Sequence, residues 1–249
     1  MDRFTHVYKG SPPDHCVCDQ ALRLLPNGDW AIFFMTGGDH EPRKENYIAV
    51  CRSKDHGATW SKPETVLRFD DRACLLSEVI VHGQEIRIMG TSHLGYFEDW
   101  RNFVLTSRDN GHTWDEPIPF THKLRRAFLR NLYISTWGEW FLPFQSYDTV
   151  PDATASPLRD GSFKQTRVLC LVLISCVYSK SVDEYKAQTY GVLISSDEGR
   201  TWIKSAEIGP TAGWAENNVA EGKGARGLEG KEERSNSYHL AILPSCLLK

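Results

Sequence analysis

Two short segments gather the residue types that do chemistry. Thr36-Gly-Gly-Asp39-His40-Glu41-Pro42-Arg43-Lys44-Glu45-Asn46 sets two carboxylates, an imidazole and a guanidinium within five positions, Asp39 to Arg43. Such a set can exchange protons and hold an anion. Thr91-Ser92-His93-Leu94-Gly95-Tyr96-Phe97-Glu98-Asp99-Trp100-Arg101 places aromatic rings beside a histidine and an arginine. Aromatics next to a cation are what a sugar-binding loop uses, for stacking on pyranose faces and for anion contacts. The same composition suits a surface loop with one packed aromatic. Arg130, just after Arg125-Arg126, either reaches towards a bound anion or belongs to a solvated charge cluster. Lone histidines such as His40 and His93 are more often structural or exposed than catalytic.

The elements that must position these residues are written in a repeat. Ser53-Lys-Asp55-His-Gly57-Ala-Thr59-Trp60 returns as Ser107-Arg-Asp109-Asn-Gly111-His-Thr113-Trp114 and as Ser195-Ser-Asp197-Glu-Gly199-Arg-Thr201-Trp202. The first interval suits a four-stranded blade, while the second is longer. Each copy follows an apolar strand-like run: Tyr47-Ile-Ala-Val-Cys51, Asn102-Phe-Val-Leu-Thr106 and Tyr190-Gly-Val-Leu-Ile194. Within the motif, Asp can accept hydrogen bonds from turn N–H groups, Gly permits a positive φ, and Trp can cover the neighbouring core. Asp55, Asp109 and Asp197 are therefore expected to be structural, as are Gly57, Gly111, Gly199, Trp60, Trp114 and Trp202.

A hairpin precedes each motif. Ala21-Leu-Arg-Leu-Leu25 and Trp30-Ala-Ile-Phe-Phe34 flank an Asn27-Gly28 turn; Glu78-Val-Ile-Val81 and Glu85-Ile-Arg-Ile-Met89 flank Gly83; Arg130-Asn-Leu-Tyr-Ile134 and Glu139-Trp-Phe-Leu142 flank Gly138. Two hairpins make one blade. Helical periodicity is nearly absent, so the chain reads as all-β.

Composition bounds the rest. At 249 residues, with 41% hydrophobic and 24% charged residues, the chain can bury a sizeable core. A formal net charge of −3 offers no basic field for nucleic acid, and no stretch approaches the roughly 18 apolar residues of a membrane span. The N-terminus lacks the apolar core of a secretory leader, so a cytoplasmic protein is expected, or a secreted one if the N-terminus is incomplete. Seven cysteines, an odd and scattered set, suit a reduced chain. Cys16-x-Cys18 lacks a second pair at zinc-ribbon spacing, so no metal site is expected.

The repeated motif resembles the Asp-box of sialidases and other bacterial-neuraminidase-repeat proteins, over residues from about 16 to 221. That resemblance implies a sialidase-like β-propeller, six-bladed in the family, of which this chain holds three to four blades in 1–221, with an atypical tail in 222–249. Sialidases carry an acid/base aspartate in a loop before the first box strand, which assigns that role to Asp39 or Glu41. Their catalytic glutamate, in a Glu-x-x-Val-x-Glu pattern, matches Glu216-Asn-Asn-Val219-Ala-Glu221, so Glu216 takes its position. In the family this glutamate serves a tyrosine nucleophile, and three arginines hold the substrate carboxylate.

The resemblance implies hydrolysis of a terminal acidic sugar of the exo-α-sialidase type, with a glycan partner and no cofactor. Arg43, His40, His93, Trp100, Arg101 and Arg130 are the candidate substrate contacts. Two departures stand out. No Phe-Arg-Ile-Pro element precedes the first blade, where Cys16-Val-Cys18-Asp19-Gln20-Ala21 stands instead, and the arginine expected after Glu216 is not identifiable. The chain as written is therefore expected to be inactive or weak. A non-catalytic carbohydrate-binding propeller stays open, as does a propeller-type uronate lyase using His40, His93 and Tyr96. The run 168–177 and the polar stretch 222–234 do not continue the blade period.

Overall fold

The computed structural model describes residues 5–94, 99–120, 127–146, 172–173, 188–211, 220–223 and 238–242. Among them are strands and no helix. The chain falls into two compact units, Met1–Phe128 and Leu129–Lys249.

The first unit is two four-stranded antiparallel blades. In one, β1 (Val17–Leu24), β2 (Trp30–Thr36), β3 (Tyr47–Ser53) and β4 (Glu64–Leu67) pair in chain order; in the other, β5 (Ala73–His82), β6 (Glu85–His93), β7 (Arg101–Ser107) and β8 (Ile118–Pro119) do the same. The Asn27-Gly28 turn closes the first hairpin. Leu25 N–H donates to Asp29 O at 2.8 Å, and Gly28 sits at φ +88°, where a side chain would be strained. β1 starts earlier than its apolar pattern shows, because a bulge between Cys18 and Ala21, with Asp19 at φ +52°, breaks the alternation there.

Strand alternation divides β2 and β3 between two cores. Ala31, Phe33, Ile48 and Val50 turn towards the second blade and meet Cys74, Leu76, Val79, Ile86, Ile88, Phe103 and Leu105. Phe34, Ala49 and Cys51 turn the other way, where Tyr8 stacks on Phe34 with centroids 5.0 Å apart and Trp60 packs alongside. Burying each such Phe or Leu is worth about 1.5–3 kcal/mol. Two charged ties also cross between these blades. Arg23 donates through Nη2 to buried Glu78 at 2.5 Å and through Nε to Val79 O at 2.6 Å. Buried Arg52 binds Glu64 Oε2 at 2.5 Å and reaches Gly111 O in the second motif.

Beyond β9 (Ala127–Leu129), at the junction, the second unit continues with β10 (Tyr133–Ile134), β11 (Trp140–Ser146), β12 (Val172–Leu173), β13 (Gln188–Ser195) and β14 (Ile203–Thr211). β10, β11, β13 and β14 run in that order in one antiparallel sheet, and β11 pairs with β13 from Trp140↔Ser195 to Ser146↔Thr189. The long second interval between motifs is thereby located. Residues 147–187 connect the second and third strands of this blade, the position that residues 37–46 hold in the first. β12, from the run 168–177, pairs in parallel with β16 (Tyr238–Ile242), which also pairs antiparallel with β15 (Ala220–Lys223). The remainder of that run, and 224–237 of the polar stretch and beyond, lie outside the described residues.

The three motif copies have one geometry. The Ser hydroxyl donates to Asp Oδ1 at 2.7, 2.8 and 2.7 Å, and the Gly N–H donates to that hydroxyl oxygen at 2.7, 2.9 and 2.8 Å. Thr N–H and Thr Oγ1 donate to the same carboxylate at 2.8 and 2.6 Å in every copy. These bonds favour the ionised form. Asp55 and Asp197 fall to about 2, first through the Thr59 and Thr201 hydroxyls, and Asp109 is lowered in the same way by Thr113. A Cβ on Gly199 would stand 3.0 Å from Trp140 and 3.1 Å from Trp202, so the glycine, at φ +77°, is required by space as well as by conformation.

Candidate functional site

In the first blade the starts of β1 and β3 and the end of β2 share one edge, since Val17 pairs with Thr36 and Thr36 with Tyr47. The second blade brings the start of β5, the end of β6 and the start of β7 together through Ala73↔His93 and Ser92↔Arg101. Cys74 N–H donates to Asn46 O at 2.8 Å, which joins the two edges into one rim. The first two motifs follow the far ends of β3 and β7. Their aspartates are thus at the opposite end of the sheets from Asp39.

The rim loop between β2 and β3 is built on Gly37 and Asn46. At φ +99°, a Cβ on Gly37 would lie 2.3 Å from Glu45 O and 2.7 Å from the Tyr47 ring. Buried Asn46 donates through Nδ2 to Gly37 O at 2.5 Å and to His40 O at 3.2 Å, and accepts from Arg43 N–H at 2.7 Å. His15 N–H and Cys16 N–H both donate to Gly38 O, at 2.7 and 3.1 Å. Exposed side chains are presented on this fixed backbone. His40 Nδ1 lies 2.8 Å from Asp39 Oδ1, and Arg43 Nε lies 3.9 Å from the same oxygen and 3.8 Å from Glu45.

Asp39 is held below the usual carboxylate range. Desolvation pushes it up, but its own backbone N–H, His40 and Arg43 together lower it further. It is an anion at neutral pH, ready to accept a proton rather than give one. Glu41, also exposed, turns towards Cys18, whose Sγ lies 3.6 Å from Glu41 Oε2. Tyr47, at the start of β3, is not an activated nucleophile. Burial, then Asp14 and Tyr8, raise its phenol, and Arg68 covers its ring at 4.7 Å.

On the second blade's part of the rim, His93 and Trp100 are buried, at 0% and 9% exposure. Their rings lie 6.4 Å apart, and Trp100 meets Phe128 edge-on at 4.6 Å. They support the rim from behind and present no face for a sugar to stack on. Burial, then Arg72, lowers His93 to about 4, so it is neutral. Arg101 is 65% exposed and donates to Asp99 Oδ2 at 2.6 Å; Arg72, almost buried, donates to the same oxygen at 2.7 Å and to Asp99 O at 2.5 Å. Arg72, Asp99 and Asn46 organise the rim, yet none was singled out from the sequence. The one cue was the placement of Asp-Arg directly before a strand.

Arg130 belongs to the second unit, where it is partly buried and its N–H donates to Pro143 O at 3.1 Å. Glu216 and Tyr96 lie outside the described residues. The structure therefore brings together Asp39, His40, Glu41 and Arg43 on the first blade, and His93, Trp100 and Arg101 on the second.

With this geometry in view, the chain can be set beside known proteins. No protein-family model matches it, and no curated protein matches its sequence. Among solved structures, a protein of unknown function from Dyadobacter fermentans aligns at 16% identity with a TM-score of 0.56, covering 86% of this chain and 61% of its own. A mutant of Trypanosoma rangeli sialidase displaying trans-sialidase activity aligns at 15% identity with a TM-score of 0.53, over 82% of this chain and 32% of its own. The fold is a sialidase-like β-propeller architecture, of which this chain carries part. It spans less than two thirds of either relative's length.

Proposed function

We propose that this chain carries the acid/base part of a sialidase-like glycoside hydrolase acting on a terminal acidic sugar. The observation behind this reading is the fixed rim loop, which holds Asp39, His40, Glu41 and Arg43 at the sheet edge opposite the first two motifs. In this reading Asp39 is the acid/base, with Glu41 as the other candidate carboxylate. Asp39 is ionised in the free chain, so protonating a leaving group requires the bound sugar to displace water from it and raise its pKa. Arg43 and Arg101 are the anion contacts of the first unit in this reading, while Arg130 and Glu216, in the second unit, keep the roles that the sequence resemblance implies for them, the glutamate as base towards a tyrosine whose position is open.

A non-catalytic carbohydrate-binding propeller is the second reading, favoured by one observation: Asp99 already occupies both Arg72 and Arg101, and Arg43 lies beside Asp39 and Glu45, so the rim arginines are held in ion pairs and not in a clamp aimed at a substrate carboxylate. The lyase alternative needs His93 to reach substrate, and its complete burial opposes that.

A fluorogenic sialoside assay with parallel sialic-acid titrations separates these readings. Turnover lost in Asp39→Asn and kept in Asp55→Asn supports the hydrolase. Saturable binding without turnover, weakened by Arg43→Ala, supports the binding module. Turnover indifferent to Asp39, Glu41 and Glu216 overturns the site assignment, and neither turnover nor binding overturns both readings.

A further inference from the structure

The first strand of the first blade begins with a group of side chains that the glycosidase reading leaves unused. Cys16 and Cys18, two apart on an extended chain, fall on one face, and their Sγ atoms lie 3.8 Å apart. Strand alternation would send Asp19 to the other face. At Asp19 the φ of +52° and the adjoining bulge break that alternation, and its carboxylate stays with the Cys18 thiol. From the rim loop Glu41 closes the group. Cys18 Sγ, an Asp19 oxygen and a Glu41 oxygen all lie within 4.8 Å of one another.

We propose that Cys18, Asp19 and Glu41 form the core of a binding site for a thiophilic divalent cation, zinc by ligand type, with Cys16, whose sulfur touches that of Cys18, moving in as the fourth ligand when the ion binds. Zinc takes sulfur at about 2.3 Å and carboxylate oxygen at about 2.0 Å in a tetrahedron, whose S···S edge is then about 3.8 Å and whose S···O edge is about 3.5 Å. The observed edges are 3.8 Å for Cys16 to Cys18 and 3.6 Å for Cys18 to Glu41. Thiol hydrogen bonds also fit those two distances. They do not require a second carboxylate beside the same sulfur, which Asp19 provides. Two thiolates with two carboxylates select a borderline-soft ion over magnesium or calcium, which prefer all-oxygen sites.

Without a cation the group is unfavourable for charge. Burial first, then Glu41 and Asp19, push the Cys18 thiol far up, and burial also raises Cys16. On binding, each thiol gives its proton to solvent and its sulfur lone pair to the metal, with no change of oxidation state. Two protons leave per cation, so affinity rises with pH. The site would tie β1 to the rim loop across residues far apart in sequence. It would also commit Glu41 to ligation and leave Asp39 as the carboxylate facing substrate.

The test is zinc binding by the full chain, reduced and stripped of metal, in competition with a chromogenic chelator, with cobalt(II) as the spectroscopic probe. One equivalent of zinc is expected, with a thiolate-to-cobalt charge-transfer band in the near ultraviolet. The Cys16→Ser, Cys18→Ser double variant should abolish that band, and Cys16→Ser, Cys18→Ser, Asp19→Asn and Glu41→Gln should each weaken binding at least about tenfold. The combined Cys170→Ser, Cys176→Ser, Cys246→Ser variant should bind as the parent does. Should the cysteine variants fail to fold, alkylation of the parent chain decides: zinc should protect Cys16 and Cys18, read by peptide mass spectrometry. Absence of the band, or binding and alkylation unaffected at these residues, overturns the proposal and leaves hydrogen-bonded thiols. Because binding is read without turnover, failure here is distinct from failure of the glycosidase reading.

Discussion

At the scale of single residues, position decides which titratable groups are available for chemistry. Asp55, Asp109 and Asp197 are the most recognisable carboxylates, yet their oxygens are engaged by the Ser and Thr of their own turns. Asp39 is exposed and is shaped by its neighbours His40 and Arg43. His93 is the opposite case, a neutral imidazole sealed beneath the rim. Its pKa, lowered from 6.5 to about 4, means that the unfolded chain takes up a proton first as pH falls. The stability it supports should be complete above pH 6.5 and decline towards pH 4. Urea titrations across that range should show the decline, and His93→Gln should flatten it. An unchanged slope in the variant would place the acid sensitivity elsewhere.

At the scale of elements, the Asn46 side chain ties the rim loop together from within. Asn46 satisfies Gly37 O, His40 O and Arg43 N–H, so Asn46→Ala leaves three backbone groups without that partner. A local loss of about 1–3 kcal/mol is expected. Amide exchange should accelerate at Arg43 and Cys74 while the motif turns at Gly57 and Gly111 keep their protection. Unaltered exchange at Arg43 would show that other contacts hold the loop. The Asn27-Gly28 hairpin and the motif turns could be read directly from sequence, because their backbone demands are local: a positive φ needs Gly, and a tight turn needs an acceptor one to four residues away. Asn46 could not. Its partners depend on how the loop folds back, and nothing in Lys44-Glu45-Asn46 marks that.

At the scale of the molecule, the first unit is held by the core between its two blades. Phe33 is fully buried there and meets Trp114 edge-on at 6.1 Å. Phe33→Ala should cost about 3–5 kcal/mol by opening a cavity between the sheets. Since both blades share that core, they should unfold together. Fluorotryptophan signals from Trp60 in the first blade and Trp114 in the second should move with one denaturant midpoint. Separate midpoints would show that each blade is stable alone and that the shared core contributes little.

What the sequence alone determined was everything local and repeated. Three copies of one turn motif, the hairpins before them and strand alternation were enough for an all-β, blade-like reading, because turn geometry and strand period act over a few residues. Tertiary structure decided which side chains meet. Trp100 and His93 read as ligand contacts, and only the packing of Phe128 and Arg72 against them shows that they lie beneath the surface. Cys16 and Cys18 read as unremarkable thiols, since the bulge at Asp19 and the return of Glu41 that surround them depend on the pairing of β1 with β2 and on the path of the rim loop. Contacts between segments more than 20 residues apart are set by sheet register and packing, which no local pattern of residues encodes.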